Sequence, residues 1–174
     1  MGLKIVYGGS LFDRWEDIHE VIRELEKNFL QPDQGCNIIV THGSPKTSHN
    51  VNSIYLGLDR YVMGKYTNVF VGAVDGVLTR EQALRRAKEC MPKRIKFFPF
   101  MYVAGSHIMD DIMGKELKHE SEYSWAMEMK QAGFTVETVQ TTYHGEEFFK
   151  GLGFYPEINR KFISNLVRTL KSLD

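Results

Sequence analysis

The 174-residue chain lacks the features that mark several large classes of protein. Its longest apolar runs, such as residues 97–104, are far shorter than the roughly 20 residues that a transmembrane helix needs. Lys plus Arg number 22 and Asp plus Glu also number 22, so the formal net charge is zero. A chain with no net positive charge does not attract nucleic acid or an anionic membrane over long distances. We therefore expect neither as a partner.

Cysteine is scarce as well. Cys36 and Cys90 are the only two, and they have no C-x-x-C spacing. Two isolated cysteines are typical of free, buried thiols in a reducing compartment. The apolar stretch at residues 3–7 is too short for the hydrophobic region of a signal peptide. We therefore expect a cytoplasmic protein without a disulfide.

Common phosphate-binding and hydrolase motifs are also missing. The chain contains no GxxxxGK[ST] loop, no GxGxxG fingerprint, no GxSxG elbow and no HExxH pair. Each of these motifs builds a specific anion, nucleophile or zinc site. Their absence disfavours a nucleotide-binding domain.

What the sequence does contain is an alternation of apolar runs with amphipathic stretches. Helical periodicity covers 13–29, 50–63, a segment capped by Thr79, 123–132 and the chain from Pro156 onward. Strand-like runs cover 3–7, 37–41, 68–74, 94–103 and 134–140. Strands separated by helices indicate βαβ units and a parallel sheet. The prediction is a single α/β domain over 1–174, a flavodoxin-like open parallel sheet with helices on both faces.

Two histidines and an aspartate stand where predicted strands end. They are His42, Asp75 and His107. The carboxyl ends of parallel strands meet at one crevice. Two imidazoles and a carboxylate there form a transition-metal ligand set, and three ligands leave positions open for a substrate. Each residue has an ordinary alternative: His42 capping a turn, Asp75 as a turn residue, and His107 as the first residue of a helix.

The sequence gives weaker support for a role of neighbouring residues in this site. Asp110 or Asp111 is a candidate hydrogen-bond partner for His107, or serves only to favour a helix start. His144 lies in a polar loop, where a surface role is favoured over a place in the crevice. The candidate substrate contacts are Ser44, His49, Met101 and Ser106.

Four collinear stretches around these residues carry a family resemblance. They are residues 41–44, 70–76, 98–111 and 151–158, and the most specific is FPFMYVAGSHIMDD at 98–111. The chain resembles the class II chelatase superfamily, in particular the anaerobic sirohydrochlorin cobaltochelatases. Ser124-Trp125 also matches a pair found in that family.

The resemblance implies insertion of a divalent metal into a tetrapyrrole such as sirohydrochlorin, in cobalamin biosynthesis. It assigns His42, Asp75 and His107 as metal ligands, with His42 and His107 as the catalytic residues. His42 is expected also to accept a pyrrole proton. The metal is the substrate; Co²⁺ is favoured, with Fe²⁺ and Ni²⁺ as alternatives.

The chain also departs from the family pattern. Asp75 stands where a glutamate is usual, Ser106 where an aspartate is common, and Phe154 where the family has an acid. Residues 143–145 resemble an insertion, and the chain resembles the second half of a two-half enzyme. The resemblance therefore implies a homodimer or a separate partner half. The alternative is a non-catalytic protein that binds the metal or the tetrapyrrole.

Overall fold

A computed structural model describes residues 5–6, 9–12, 14–45, 50–115 and 123–171. The chain divides into two compact units. One comprises Met1–Lys27 together with Gly153–Asp174, and the other is Asn28–Leu152. The candidate site residues all belong to the second unit. The expectation of a single domain over 1–174 stays a prediction.

Helices and strands alternate as the periodicity predicts, with boundaries shifted by a few residues. The α-helices are α1 Trp15–Glu26, α2 Asn50–Lys65, α3 Arg80–Ala87, α4 Trp125–Gln131 and α5 Pro156–Lys171. The strands are β1 Cys36–Gly43, β2 Val69–Asp75, β3 Arg94–Phe100, β4 Thr135–Thr138, β5 Gln140–Tyr143 and β6 Glu146–Phe149. A π-helix covers His107–Ile112 and a 3₁₀ turn covers Leu152–Phe154.

Within the described residues, four strands form a parallel sheet in the order β2-β1-β3-β4. The α/β class predicted from the alternating pattern is confirmed. The predicted first strand, residues 3–7, is not observed at Ile5 and Val6. The rest of that segment lies outside the described residues.

Side chains alternate between two covered faces of this sheet, as buried parallel strands require. On one face Phe97 packs edge-on against Trp125 of α4, with ring centroids 6.3 Å apart. On the other, Phe100 lies 6.5 Å from the ring of Tyr55 in α2. Gly72 permits close approach on the first face, because a Cβ there would lie 2.8 Å from the Trp125 ring. Helices on both faces are therefore confirmed.

Two buried asparagines close the end of the sheet opposite the candidate site. Asn37 Oδ1 accepts from Leu30 N at 2.8 Å, and Asn37 Nδ2 donates to Leu30 O at 2.9 Å. Asn68 Nδ2 donates to Leu30 O and to Gly35 O at 2.8 and 2.9 Å. These bonds satisfy loop backbone groups that burial would otherwise leave unpaired.

The segment predicted as a polar loop around His144 is a β-hairpin. β5 and β6 pair antiparallel, and His144 and Gly145 at the turn have φ of 50° and 83°. Positive φ at both central residues is typical of the two-residue turns that match strand twist. The polar composition of residues 141–147 hid this hairpin, because exposed strands carry no apolar alternation.

Cys36 and Cys90 form a disulfide, so the prediction of free thiols is wrong. The cysteines are 54 residues apart in sequence, but the fold brings their Cα atoms to 6.2 Å, a distance that a disulfide spans. Disulfides persist mainly in oxidising compartments, so the thiol argument for a cytoplasmic location no longer holds. No helix among the described residues is long and apolar enough to cross a membrane.

Removal of this disulfide is expected to destabilise the protein, because the bond restricts the unfolded chain. We expect the C36A/C90A variant to lose about 2–4 kcal/mol of unfolding free energy, measured by urea denaturation. Adding reductant to the wild-type protein breaks the disulfide without changing any side chain, so it measures the effect of the bond separately from lost packing. The unfolding free energy of the variant should not change with reductant. Two free thiols in the unfolded, unreduced wild-type protein would contradict the pairing.

Candidate functional site

His42 is presented by the central strand of the sheet. The six residues of β1 before it are buried, and His42 is the first exposed one. The chain turns directly after it at Gly43, with φ of 76°. A Cβ on Gly43 would lie 1.5 Å from the carbonyl oxygen of Asp75, so this turn requires glycine. The turn thus leaves the imidazole at the carboxyl end of β1.

His107 is presented by the π-helix that follows β3. The helix begins with a hydrogen bond in which the Gly105 carbonyl accepts from the backbone N–H of Ile108 at 3.0 Å. Ile108 and Ile112 are fully buried and anchor the helix, whereas His107 is half-buried and Asp111 is exposed. π-helical turns are rare and occur frequently at functional sites.

The two imidazoles meet at the point where the strand order reverses. β1 and β3 are direct neighbours, with Thr41 opposite Phe100, while the chain continues from β1 outward to β2 on the other side. The His42 and His107 rings contact edge-to-face, with centroids 4.7 Å apart and planes at 86°. Such a switch point is where open α/β sheets bind their ligands.

Hydrogen bonds select the tautomer of each ring. His42 Nδ1 lies 3.1 Å from the carbonyl oxygen of Gly43, and His107 Nδ1 lies 2.6 Å from Oδ2 of Asp111. A carbonyl or a carboxylate only accepts, so both Nδ1 atoms carry the proton. The Nε2 atom of each neutral ring then keeps its lone pair, free to bind a metal or to accept a proton.

Asp75 is placed beside the pair through its backbone. It ends β2, lies opposite Gly43 in the ladder, and its side chain is exposed. Among the described residues, however, no group of three His, Cys, Asp or Glu side chains is arranged to hold a metal ion. The structure therefore brings His42 and His107 together but does not add Asp75 as a third ligand. The role of Asp75 stays a prediction.

The other residues that the sequence suggested for the site differ in exposure and in their contacts. Ser106 is exposed directly before His107, and Met101 is half-buried against the core. Ser44 is buried, and its carbonyl accepts from Asn52 Nδ2 at 3.1 Å. His49 lies outside the described residues. His144 is exposed at the hairpin turn, with its ring 4.1 Å from that of Tyr143.

Asn52 contributes to the site without any motif in the sequence to mark it. Asn52 is buried in α2 and donates to the carbonyl of Ser44. Its Oδ1 also lies close to Gly76, because a Cβ on that glycine would be 2.8 Å from this oxygen. Asn52 therefore hydrogen-bonds the turn after His42, and its amide oxygen lies close to the turn after Asp75.

A cleft of about 730 Å³ lies beside the π-helix, and Asp111, the hydrogen-bond partner of His107, is one of its lining residues. Its apolar lining includes Val74, Met109, Met113, Trp125 and Phe149. Its charged lining comprises Arg80, Asp110, Asp111 and Lys115.

Arg80 in this cleft is fixed by Glu128, whose Oε2 accepts from the guanidinium at 2.9 Å. Burial raises the pKa of Glu128, but hydrogen bonds and charges from Lys88 and Arg80 outweigh it and the net pKa is lowered. The carboxylate therefore stays charged and holds Arg80 in place at neutral pH.

One comparison with known proteins bears on this arrangement. The family model described as cobalt chelatase matches residues 3–171, which is nearly the whole chain. The match includes every candidate site residue named above. By this match the chain belongs to the cobalt chelatase (CbiK) family.

Proposed function

We propose that this protein inserts Co²⁺ into sirohydrochlorin, a step of cobalamin biosynthesis, and that His42 and His107 carry the reaction. Family membership supports cobalt chelatase activity on a tetrapyrrole. The observation that carries the proposal is the contact of two imidazoles, 4.7 Å between centroids, at the switch point of a parallel sheet.

The chemistry requires a metal to lose water and two pyrrole N–H protons to leave. An imidazole Nε2 serves both steps, because it binds a divalent ion exchangeably and it accepts a proton at neutral pH. Two protein ligands leave most of the coordination sphere open for water and then for macrocycle nitrogens. Asp75, at the neighbouring strand end, is proposed as a further ligand once the metal is present.

The two histidines are proposed to differ in role. The Asp111 carboxylate orients His107 and leaves Nε2 as the unprotonated ring nitrogen, which suits a metal ligand. His42 donates instead to a neutral carbonyl and is proposed as the proton acceptor as well as a ligand. Selection of Co²⁺ over Fe²⁺ or Ni²⁺ would depend on metal availability as much as on these ligands.

The adjoining cleft is proposed to hold part of the macrocycle. Its volume of about 730 Å³ is within the usual range for ligand sites. Apolar walls such as Met109 and Phe149 suit the flat ring, and Lys115 suits a peripheral carboxylate. Ser106 and Met101 are proposed contacts beside it. A second copy of the chain or a partner half would complete the enclosure.

Loss of His107 is the direct test of the assignment. We expect H107A to reduce Co²⁺ insertion by about 100-fold or more, because it removes both a ligand and the edge contact that positions His42. The assay follows the absorbance change of sirohydrochlorin after subtraction of the uncatalysed rate. H144A, an exposed histidine on the hairpin, is the matched control and should retain full activity. Wild-type activity in H107A would refute the site.

Asp111 is expected to act through His107. D111N keeps the shape of the side chain but removes the negative charge beside Nδ1, so we expect kcat/KM for Co²⁺ to fall about 10–100-fold. The neighbouring D110N removes the same charge from a residue that also lines the cleft, and it should remain near wild type. Equal losses in the two variants would indicate a general electrostatic effect on the cleft.

Binding without turnover is the second candidate function, and the departures at Asp75 and Ser106 from the family's usual acids favour it. Equilibrium binding of Co²⁺ and of sirohydrochlorin, measured alongside the insertion assay, separates the two. Tight binding of either ligand with no rate above background would replace the enzymatic proposal with a carrier.

A further inference from the structure

Arg80 is held in a fixed position at the wall of the cleft beside the π-helix. It is the first residue of α3, and its Nη2 donates to Oε2 of Glu128 at 2.9 Å and to the carbonyl of Ser124 at 3.4 Å. Its side chain is only 25% exposed, whereas Lys115, the other cation of the lining, is exposed. A ligand that binds Arg80 therefore meets a side chain that has already lost much of its rotational freedom.

The pairing leaves Arg80 with spare donors and with positive charge. Among the described residues only its Nη2 is bonded, so the N–H groups of Nε and Nη1 remain for a ligand. Glu128 is shared, because its Oε1 accepts from Lys88 Nζ at 2.7 Å. Two cations therefore face one carboxylate, and the three side chains together carry a net positive charge.

The acids of the cleft do not neutralise Arg80. Asp110 and Asp111 belong to the π-helix, and neither forms an ion pair with Arg80. Asp111 is bonded to His107 instead. Apolar side chains, Trp125 among them, line the same cleft. Because water screens a charge less beside an apolar wall, Arg80 attracts an anion more strongly than a fully exposed cation does.

We propose that Arg80 binds a peripheral carboxylate of the tetrapyrrole and that Glu128 positions Arg80 for this contact. The inference rests on the proposed function, because it takes the macrocycle as the occupant of the cleft. Sirohydrochlorin has a flat apolar ring with acetate and propionate groups at its edge. Such a ligand matches a cleft that combines apolar walls with a positioned guanidinium. Arg80 thereby selects tetrapyrroles that carry carboxylates, and the two histidines serve the metal.

Equilibrium binding of uroporphyrin without metal tests Arg80 separately from metal insertion. Uroporphyrin carries the same acetate and propionate groups, and its own fluorescence reports binding. We expect R80Q to raise its Kd about tenfold or more, because the variant removes a charge-assisted contact. R85Q removes the same charge from an exposed residue of α3 that does not line the cleft, and it should bind like the wild type.

The salt dependence of Kd distinguishes a contact with the ligand from a structural role. The Kd of the wild-type protein should rise with NaCl concentration, and that of R80Q should rise less steeply, because one attraction between ligand and protein is gone. An Arg80 that only joins α3 to α4 would leave this slope unchanged. R80K keeps the charge without the planar donor group and should recover part of the lost affinity.

Glu128 is tested through its dependence on Arg80. E128D keeps the negative charge but shortens the side chain, so it no longer holds the guanidinium in the same place. We expect its Kd for uroporphyrin to rise about threefold or more, and the R80Q/E128D double variant should bind no more weakly than R80Q alone. Losses that add in the double variant would contradict the positioning role.

Urea denaturation of each variant checks that it is folded under the binding conditions, and R80K carries the test if R80Q is not. An R80Q protein that binds uroporphyrin as tightly as R85Q does would overturn the proposal, and so would an unchanged salt slope. Failure of the wild-type protein to bind uroporphyrin would overturn it as well. The proposed function is decided separately, by the rate of Co²⁺ insertion into sirohydrochlorin.

Discussion

The parallel pairing of β1 with β3 is the interaction on which the candidate site depends. It makes two strands neighbours that are separated along the chain by β2, and it ends them at the same edge of the sheet. A slip of one residue in this register would reverse the faces of every side chain and separate the two histidines. The buried apolar residues of both strands prevent that slip, so core packing determines the position of the site.

The site itself is held by backbone and side-chain polar groups rather than by a preformed cage of ligands. The Gly43 turn leaves His42 at the strand end, Asp111 orients His107, and Asn52 hydrogen-bonds the turn after His42. Both Nε2 lone pairs remain available. This combination suits a metal that must arrive and leave, because a closed tetrahedral site would retain it.

Much of the fold was predictable from the sequence because local patterns carry it. Apolar runs and three-to-four spacing predicted the strands of the sheet from β1 to β4 and the helices around them, and the predicted strand ends indicated His42, Asp75 and His107 as candidate site residues. The hairpin of β5 and β6 was missed because most of its side chains are polar and exposed. The choice of Asp111 over Asp110 as partner of His107 required the π-helical turn, which puts one carboxylate within reach of Nδ1.

The sequence by itself determined the α/β class, the order of the elements from β1 to β4 and the chemical character of the residues at the strand ends. It did so because hydrophobic periodicity and turn residues act over short distances along the chain. Only the tertiary structure decided which elements became neighbours: His42 with His107, and Cys36 with Cys90 across 54 residues. Those outcomes depend on packing between distant segments, and sequence spacing does not encode the distances that packing creates.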